Sequence, residues 1–334
     1  MAAEGPGRGA TLEELLGFRP GNAICYSGYR AGQSPDAGVF PTREEVREDL
    51  LLLAPHWSFL RLYDCTRHAE LVLDVIREEG LPVKVLLGAW LAGEVDNPAC
   101  PWGGVHGPER LARNREANRE ELRRLARLAD LHRDTVAAVA VGNEALVGWT
   151  DHLVPREQVL AHVRGVRGRV AQPVTVCENH VPWREGLDAI AAELDFLSVH
   201  SYPVWESREV GAGLAHTVED WRAVAARHPG KPVVLTEVGW PTRSNGRGIL
   251  PGNASPAMQA TYLTELLRWT RDAGVLAFLF EAFDERWKGS PDPDEPEKHW
   301  GIFTEDRRPK PAFHRILPYL SPGADPARRS TADA

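Results

Sequence analysis

VVLTEVG, residues 233–239, is a short apolar run that ends in a carboxylate and a glycine. VKVLLG at 83–88 has the same apolar character. Continuous apolar runs of this length suit strands covered on both faces, as in a parallel sheet. Working outward, similar runs occur at Asn22–Tyr26, Phe59–Tyr63, Val136–Gly142, Val174–Cys177, Phe196–His200 and Leu276–Phe280. Each is followed by a stretch with helical spacing. Thr42-Arg43-Glu44-Glu45 opens one as a capping box. Asn114 to His132 carries leucines at 122, 125, 128 and 131 against charged faces, so a helix buried along these leucines is expected. Ser255-Pro256 supplies an N-cap and a proline at the first helical position, and Gly274 a C-terminal stop.

Eight strands alternating with helices predict an α/β fold, a single-domain (β/α)₈ TIM barrel. A doubly wound open sheet is the alternative. It would announce a phosphate-binding glycine loop after the first strand, and ICYSGYRAG lacks the GxGxxG spacing. The barrel is assigned to residues 21–320, after an N-terminal tail (1–20) and before a small, polar, disordered tail (321–334).

Composition narrows the function. The 334 residues are 43% hydrophobic and carry a net charge of −8, which argues against a nucleic-acid partner. Arginines far outnumber lysines but lie in Glu-rich helical stretches, as solvated faces do. The four cysteines (25, 65, 100 and 177) form no CxxC pair and are expected to be free, buried small hydrophobes. No run approaches the ~18 apolar residues of a membrane span, and Met1 to Ala10 carries no apolar signal segment. A complete chain is therefore expected in the cytoplasm. One cut from a precursor is expected to be secreted or periplasmic.

In a (β/α)₈ barrel the active site forms at the C-terminal ends of the strands. In chain order those ends present Tyr26, Tyr29 and Arg30; Arg61, Tyr63 and Asp64; Trp90; Asn143, Glu144 and Trp149. The second half presents Glu178, Asn179, His180 and Trp183; His200, Tyr202 and Trp205; Glu237 and Trp240; and Glu281, Asp284, Glu285, Trp287 and Lys288. Aromatic rings, amides and carboxylates suit sugar rings, which show apolar C–H faces and a rim of hydroxyls. Phosphate substrates call for Arg, Lys and glycine nests, which are sparse here. Glycosidic cleavage needs two carboxyl groups in different protonation states. Glu144 and Glu237, at the ends of the fourth and seventh strands, face each other across the barrel mouth. Such a placement allows the ~5–5.5 Å separation of a retaining mechanism.

At these residues the sequence resembles glycoside hydrolase family 17, the β-1,3-glucanase family. The resemblance runs over about residues 21–320, through NAICYSGYR, LRLYD, VAVGNE, FLSVHSYP, VVLTEVGWPT, FEAFDERWK and EKHWGIFTEDRRPKP. It implies a retaining β-glucan hydrolase without cofactor or catalytic metal, with Glu144 as acid/base and Glu237 as nucleophile. Asn143 would hydrogen-bond the sugar 2-hydroxyl. Tyr26, Asp64, His200 and Tyr202 would contact the sugar. Glu285, Lys288 and Glu297 would be supporting charged groups, with Lys288 holding a carboxylate ionised. Trp240 would be either a stacking platform or a cover for Glu237. The YSGYRAGQSPD segment and the loop tryptophans (90, 102, 149, 183, 205) are more similar to bacterial than to plant members.

Three further readings stay open. The same two glutamates could run a β-glucan transglycosylase, with a sugar as acceptor. A metal-dependent hydrolase would draw on His180 and His200 with Cys177 and Glu178, but the chain has no HExxH and no HxH on its first strand. A barrel of this kind could also bind glucan without catalysis.

Overall fold

The computed structural model describes residues 9–320. The expected C-terminal tail and the first eight residues of the N-terminal tail lie outside them.

Eight parallel strands close into a barrel in the order β1-β2-β3-β4-β5-β6-β7-β8. They are β1 (Ala23–Cys25), β2 (Phe59–Leu62), β3 (Lys84–Ala89), β4 (Val136–Asn143), β5 (Val174–Asn179), β6 (Leu197–Ser201), β7 (Val233–Val238) and β8 (Ala277–Leu279). The ring closes where Ala23 and Ile24 pair with Phe278 and Leu279. A short helix α1 (Leu12–Leu16) precedes β1, inside the segment read as a tail. The connecting helices are α2 (Arg43–Leu53), α3 (Arg67–Glu78), α4 (Pro108–Leu131), α5 (Arg156–Arg167), α6 (His180–Glu185), α7 (Asp188–Glu193), α8 (Val210–Arg227) and α9 (Pro256–Ala273). After β8 comes α10 (Pro311–Leu320).

The local signals act as the sequence implies. Thr42 and Glu45 close a reciprocal capping box at α2. Ser255 caps α9 over Pro256, and Gly274 ends that helix at φ 65°, a left-handed value that favours glycine. At α4 the reading needs two corrections. The helix begins at Pro108, six residues before the expected start, with the proline in its first turn. Leu122, Leu125 and Leu128 are buried, but Leu131 is 62% exposed. Steps of three residues at about 100° each fall short of a full turn, so the row winds off the buried face.

The core lies in two shells. Inside the barrel and between barrel and helices, β1, β2, β7 and β8 are buried along their whole length. At the N-terminal end, the Asn22 amide donates to the carbonyls of His56 (3.0 Å) and Leu320 (2.7 Å), tying the first strand to the last helix. All four cysteines are free and buried. Among the described residues no helix is long and apolar enough to cross a membrane.

Candidate active site

Irregular pairing at the strand ends aims the site. Register shifts interrupt β4–β5 between Ala140 and Asn143, β6–β7 between Val199 and His200, and β7–β8 between Leu235 and Val238. Bulges of this kind bend a strand and redirect its side chains. Gly142 takes φ 89° and Glu144 φ 45°. A non-glycine residue there stores about 1–2 kcal/mol of strain, a common mark of a functional position. In VGWP, a Cβ on Gly239 would stand 2.2 Å from the Phe280 carbonyl oxygen, so no side chain fits between β7 and β8 beside Glu237.

Glu237 is buried and enclosed by donors. The Arg61 guanidinium, inside β2, bonds its Oε1, and the Tyr202 hydroxyl donates to Oε2 at 2.6 Å. Burial alone would raise this carboxyl. The charges of His200 and Arg61, with the bonds from Tyr202 and Arg61, outweigh burial and hold the group well below its ordinary range. Arg61 also donates to Asn143 Oδ1. A guanidinium only donates, which fixes the amide orientation and leaves Asn143 Nδ2 as a donor.

His200 stands between the two glutamates. Its Nδ1 is 2.9 Å from Glu144 Oε1 and 3.4 Å from Glu237 Oε2. Burial disfavours the imidazolium, but the Glu237 charge, with Cys177 and Glu144 beside the ring, raises its pKa to about 10. His200 is therefore protonated at neutral pH. One oxygen of each carboxylate and one His200 nitrogen all lie within 4.8 Å of one another. These three groups are close enough to hold a cation, yet Arg61 and protonated His200 already supply positive charge there. Glu144 keeps 26% of its side chain open to solvent. Behind it, Glu178 is fully buried and accepts from the amides of Leu146 and Asn179, both at 2.8 Å. Burial, then the Glu144 charge, pushes Glu178 up to about 8.

A second charged group comes from the chain after β8. Lys288 Nζ lies 2.5 Å from Glu281 Oε2 and 2.9 Å from Glu285 Oε2. Glu285 also accepts from Ser27 Oγ (2.7 Å) and the Tyr29 amide (3.1 Å). Glu297 is pushed up to about 7 by burial, with Lys288 opposing and Glu237 and Glu144 adding to the rise.

A cleft of about 900 Å³ reaches part of this group. Asp64, Asn143, Glu237, Lys288 and Glu297 line it, together with Trp90, Tyr63, Phe280 and Trp287. Another cavity, of about 1000 Å³, lies at the opposite end of the strands against Asn22, Ser58 and Ala277, away from these carboxylates.

Three expectations are corrected: the sugar contacts at Tyr26 and His200, and the platform reading of Trp240. Tyr26 is buried, donates to Asp49 at 3.1 Å and packs on His68 and Phe283. Trp240 is fully buried against Tyr262 and donates to the Asn253 carbonyl, so neither of its faces is open to a sugar. His200, also fully buried, faces the two glutamates instead, while half-buried Tyr202 donates to Glu237. Glu285 pairs with Lys288, as expected of a supporting charged group. Of the loop tryptophans, 90, 102 and 149 are exposed, whereas Trp183 is core. Arg61 and Glu281, placed at strand ends by the sequence but given no role there, pair with Glu237 and Lys288. The signal for Arg61 was a lone cation inside the apolar strand run FLRL.

Residues 23–301 match the family described as the BtgE/BtgC glycoside hydrolase domain. A glucan 1,3-beta-glucosidase of Arthroderma benhamiae is 26% identical over 85% of this chain and 88% of its own. An endo-laminarinase from Formosa Hel1_33_131 superposes with a TM-score of 0.76 at 26% identity, over 95% of this chain and 92% of that one. An active-site mutant of Rhizomucor miehei beta-1,3-glucanosyltransferase, in complex with laminaritriose, shares the fold (TM-score 0.68, 22% identity, 87% and 96% covered). With its barrel, its strand-end carboxylates and a match over most of its length, the chain belongs to the BtgE/BtgC glycoside hydrolase domain family.

Proposed function

We propose that this protein cleaves β-glucan, with β-1,3 linkages, and retains the anomeric configuration through a covalent glycosyl-enzyme intermediate on Glu237. The observation that carries this reading is the placement of one oxygen from each of Glu144 and Glu237 within 4.8 Å. Retaining enzymes hold their carboxyl groups ~5–5.5 Å apart, whereas inverting ones leave ~6.5–9.5 Å for a water.

In this mechanism Glu237 attacks the anomeric carbon as a carboxylate. Arg61, Tyr202 and protonated His200 keep it ionised, which suits a nucleophile. Glu144 protonates the leaving oxygen, then takes a proton from the incoming acceptor. Asn143 Nδ2 is the donor placed for the 2-hydroxyl, a contact that strengthens in the transition state. Trp90, 39% exposed, and Trp287 offer ring faces to the apolar side of sugars. The acceptor is water in hydrolysis and a second glucan chain in transglycosylation, with the same two glutamates.

The test is NMR of the first product formed from a laminari-oligosaccharide. A β-anomer appearing first is expected, and an α-anomer first overturns the retaining reading. Longer oligosaccharides among the products assign the acceptor as sugar.

A further inference from the structure

The loop between β4 and α5 carries His152, which lines the cleft beside Trp90 and Asp151. Its Nε2 lies 2.9 Å from the main-chain carbonyl oxygen of Asn143. A carbonyl only accepts, so Nε2 carries a proton and donates. Thr150 Oγ1 (3.0 Å) and Asp151 Oδ1 (2.7 Å) hold the Nδ1 edge of the ring. The ring also packs against Trp90, with centroids 4.5 Å apart and planes tilted by 37°.

The loop itself is fixed from several sides. The side-chain amide of Asn97 donates to the carbonyls of Gly148 (2.9 Å) and Thr150 (2.7 Å). His106 Nε2 bonds the Asp151 carbonyl at 2.6 Å, and the main-chain N–H of Glu94 donates to the Leu153 carbonyl at 2.9 Å. The Val154 N–H closes the loop on the Ala145 carbonyl, also at 2.9 Å.

The carbonyl that His152 holds belongs to the peptide joining Asn143 to Glu144. The other side of that peptide, the Glu144 N–H, donates to the Cys177 carbonyl on β5 at 2.9 Å. Beside this doubly held peptide Glu144 adopts φ 45°, a conformation that persists only where its surroundings over-determine it. The β4–β5 register shifts just before Asn143, so the regular ladder does not run straight into this peptide. Arg61 fixes the Asn143 side chain, and His152 fixes its main chain. Rotation of the peptide would swing the Glu144 carboxyl and the Asn143 amide together.

We propose that His152 is a positioning residue for the acid/base step. By holding the Asn143 carbonyl and packing on Trp90 at once, it keeps the Glu144 carboxyl in register with a sugar seated on the Trp90 side of the cleft. The proposal rests on Glu144 being the acid/base of β-glucan cleavage. A displaced Glu144 fails first at protonating a poor leaving group. An activated aryl glycoside departs with little need of that proton, so its cleavage depends far less on where the acid stands.

The test compares kcat/KM for a laminari-oligosaccharide and for a dinitrophenyl laminaribioside in the parent, His152→Phe, His152→Gln and Glu144→Ala. His152→Phe keeps a ring against Trp90 and removes the donor, whereas His152→Gln returns a donor near the Nε2 position. In His152→Phe the oligosaccharide rate is expected to fall about 10- to 100-fold, the scale of a small misplacement of a catalytic group. The aryl glycoside falls much less, which also shows that the variant is folded. His152→Gln recovers most of the oligosaccharide rate. Glu144→Ala shows the same split between substrates and serves as the reference. With that reference split in place, equal losses on both substrates in His152→Phe, no loss on either, or no recovery in His152→Gln overturns the proposal. Equal losses on both substrates in Glu144→Ala overturn the acid/base assignment, and the proposal with it.

Discussion

Glu237 depends on its neighbours for its charge, and that dependence can be measured one residue at a time. Tyr202 donates to it at 2.6 Å. A hydrogen bond to a charged group is worth about 1.5–3 kcal/mol, equivalent to about 1–2 pH units. Tyr202→Phe therefore moves the acid limb of kcat/KM toward higher pH by that amount, because the limb reports ionisation of the nucleophile in the free enzyme. An unmoved limb contradicts the assigned role. Arg61→Met leaves the buried Glu237 without its guanidinium, and breaking such a pair costs about 3–5 kcal/mol. Its melting temperature and its activity fall together. The glutamates were legible in the sequence because strand ends of a barrel carry the chemistry. The role of Arg61 was not, because most other arginines of the chain lie in helices. Tyr26 and Trp240 were misplaced because an aromatic at a strand end can turn toward the helices as readily as toward the mouth, and composition does not say which.

At the scale of elements, α4 separates pattern from burial. Leu125 is fully buried and Leu131 is 62% exposed, although both belong to one row of leucines. Leu125→Ala should cost about 2–5 kcal/mol, the usual range for a core leucine. Leu131→Ala should stay within about 0.5 kcal/mol, as surface changes do. Chemical denaturation of both variants checks this, and equal costs contradict the helix orientation described here. The strands needed no such correction, since apolar runs covered on both faces mark parallel strands whatever their register. Their bulges were invisible because they arise from pairing between segments far apart in the chain. Gly239 illustrates the link to function. Gly239→Ala forces β7 away from the Phe280 carbonyl, with an overpacking cost of about 1–3 kcal/mol and a displaced Glu237.

The whole molecule carries several groups whose protons are held more tightly folded than unfolded. Burial raises Glu121 to about 7, Glu178 to about 8 and Glu297 to about 7. For His200, burial is outweighed by Glu237 and the pKa rises to about 10. A raised folded-state pKa gives stability that is complete below the unfolded value and lost as pH rises through the folded one. Over pH 6.5 to 8 these four groups hold extra protons in the folded chain and outweigh His56, His68, His132 and His299, whose lowered values act in the opposite sense, so the melting temperature should fall across that window. A flat or rising profile contradicts these raised values. The barrel was legible from the alternation of strands and helices. The coupling of its mouth was not, since His200, Arg61 and both glutamates meet only when β2, β4, β6 and β7 close into one ring.

The central claim is a covalent bond to Glu237, and trapping that bond tests it most directly. A 2-deoxy-2-fluoro laminari-oligosaccharide with an activated leaving group slows breakdown of the intermediate, so that intact mass and peptide mapping can read it. One glycosyl label per chain, on the peptide containing Glu237 and absent in Glu237→Gln, is the predicted result. A turning-over enzyme that takes no label, or takes it on another residue, contradicts the account.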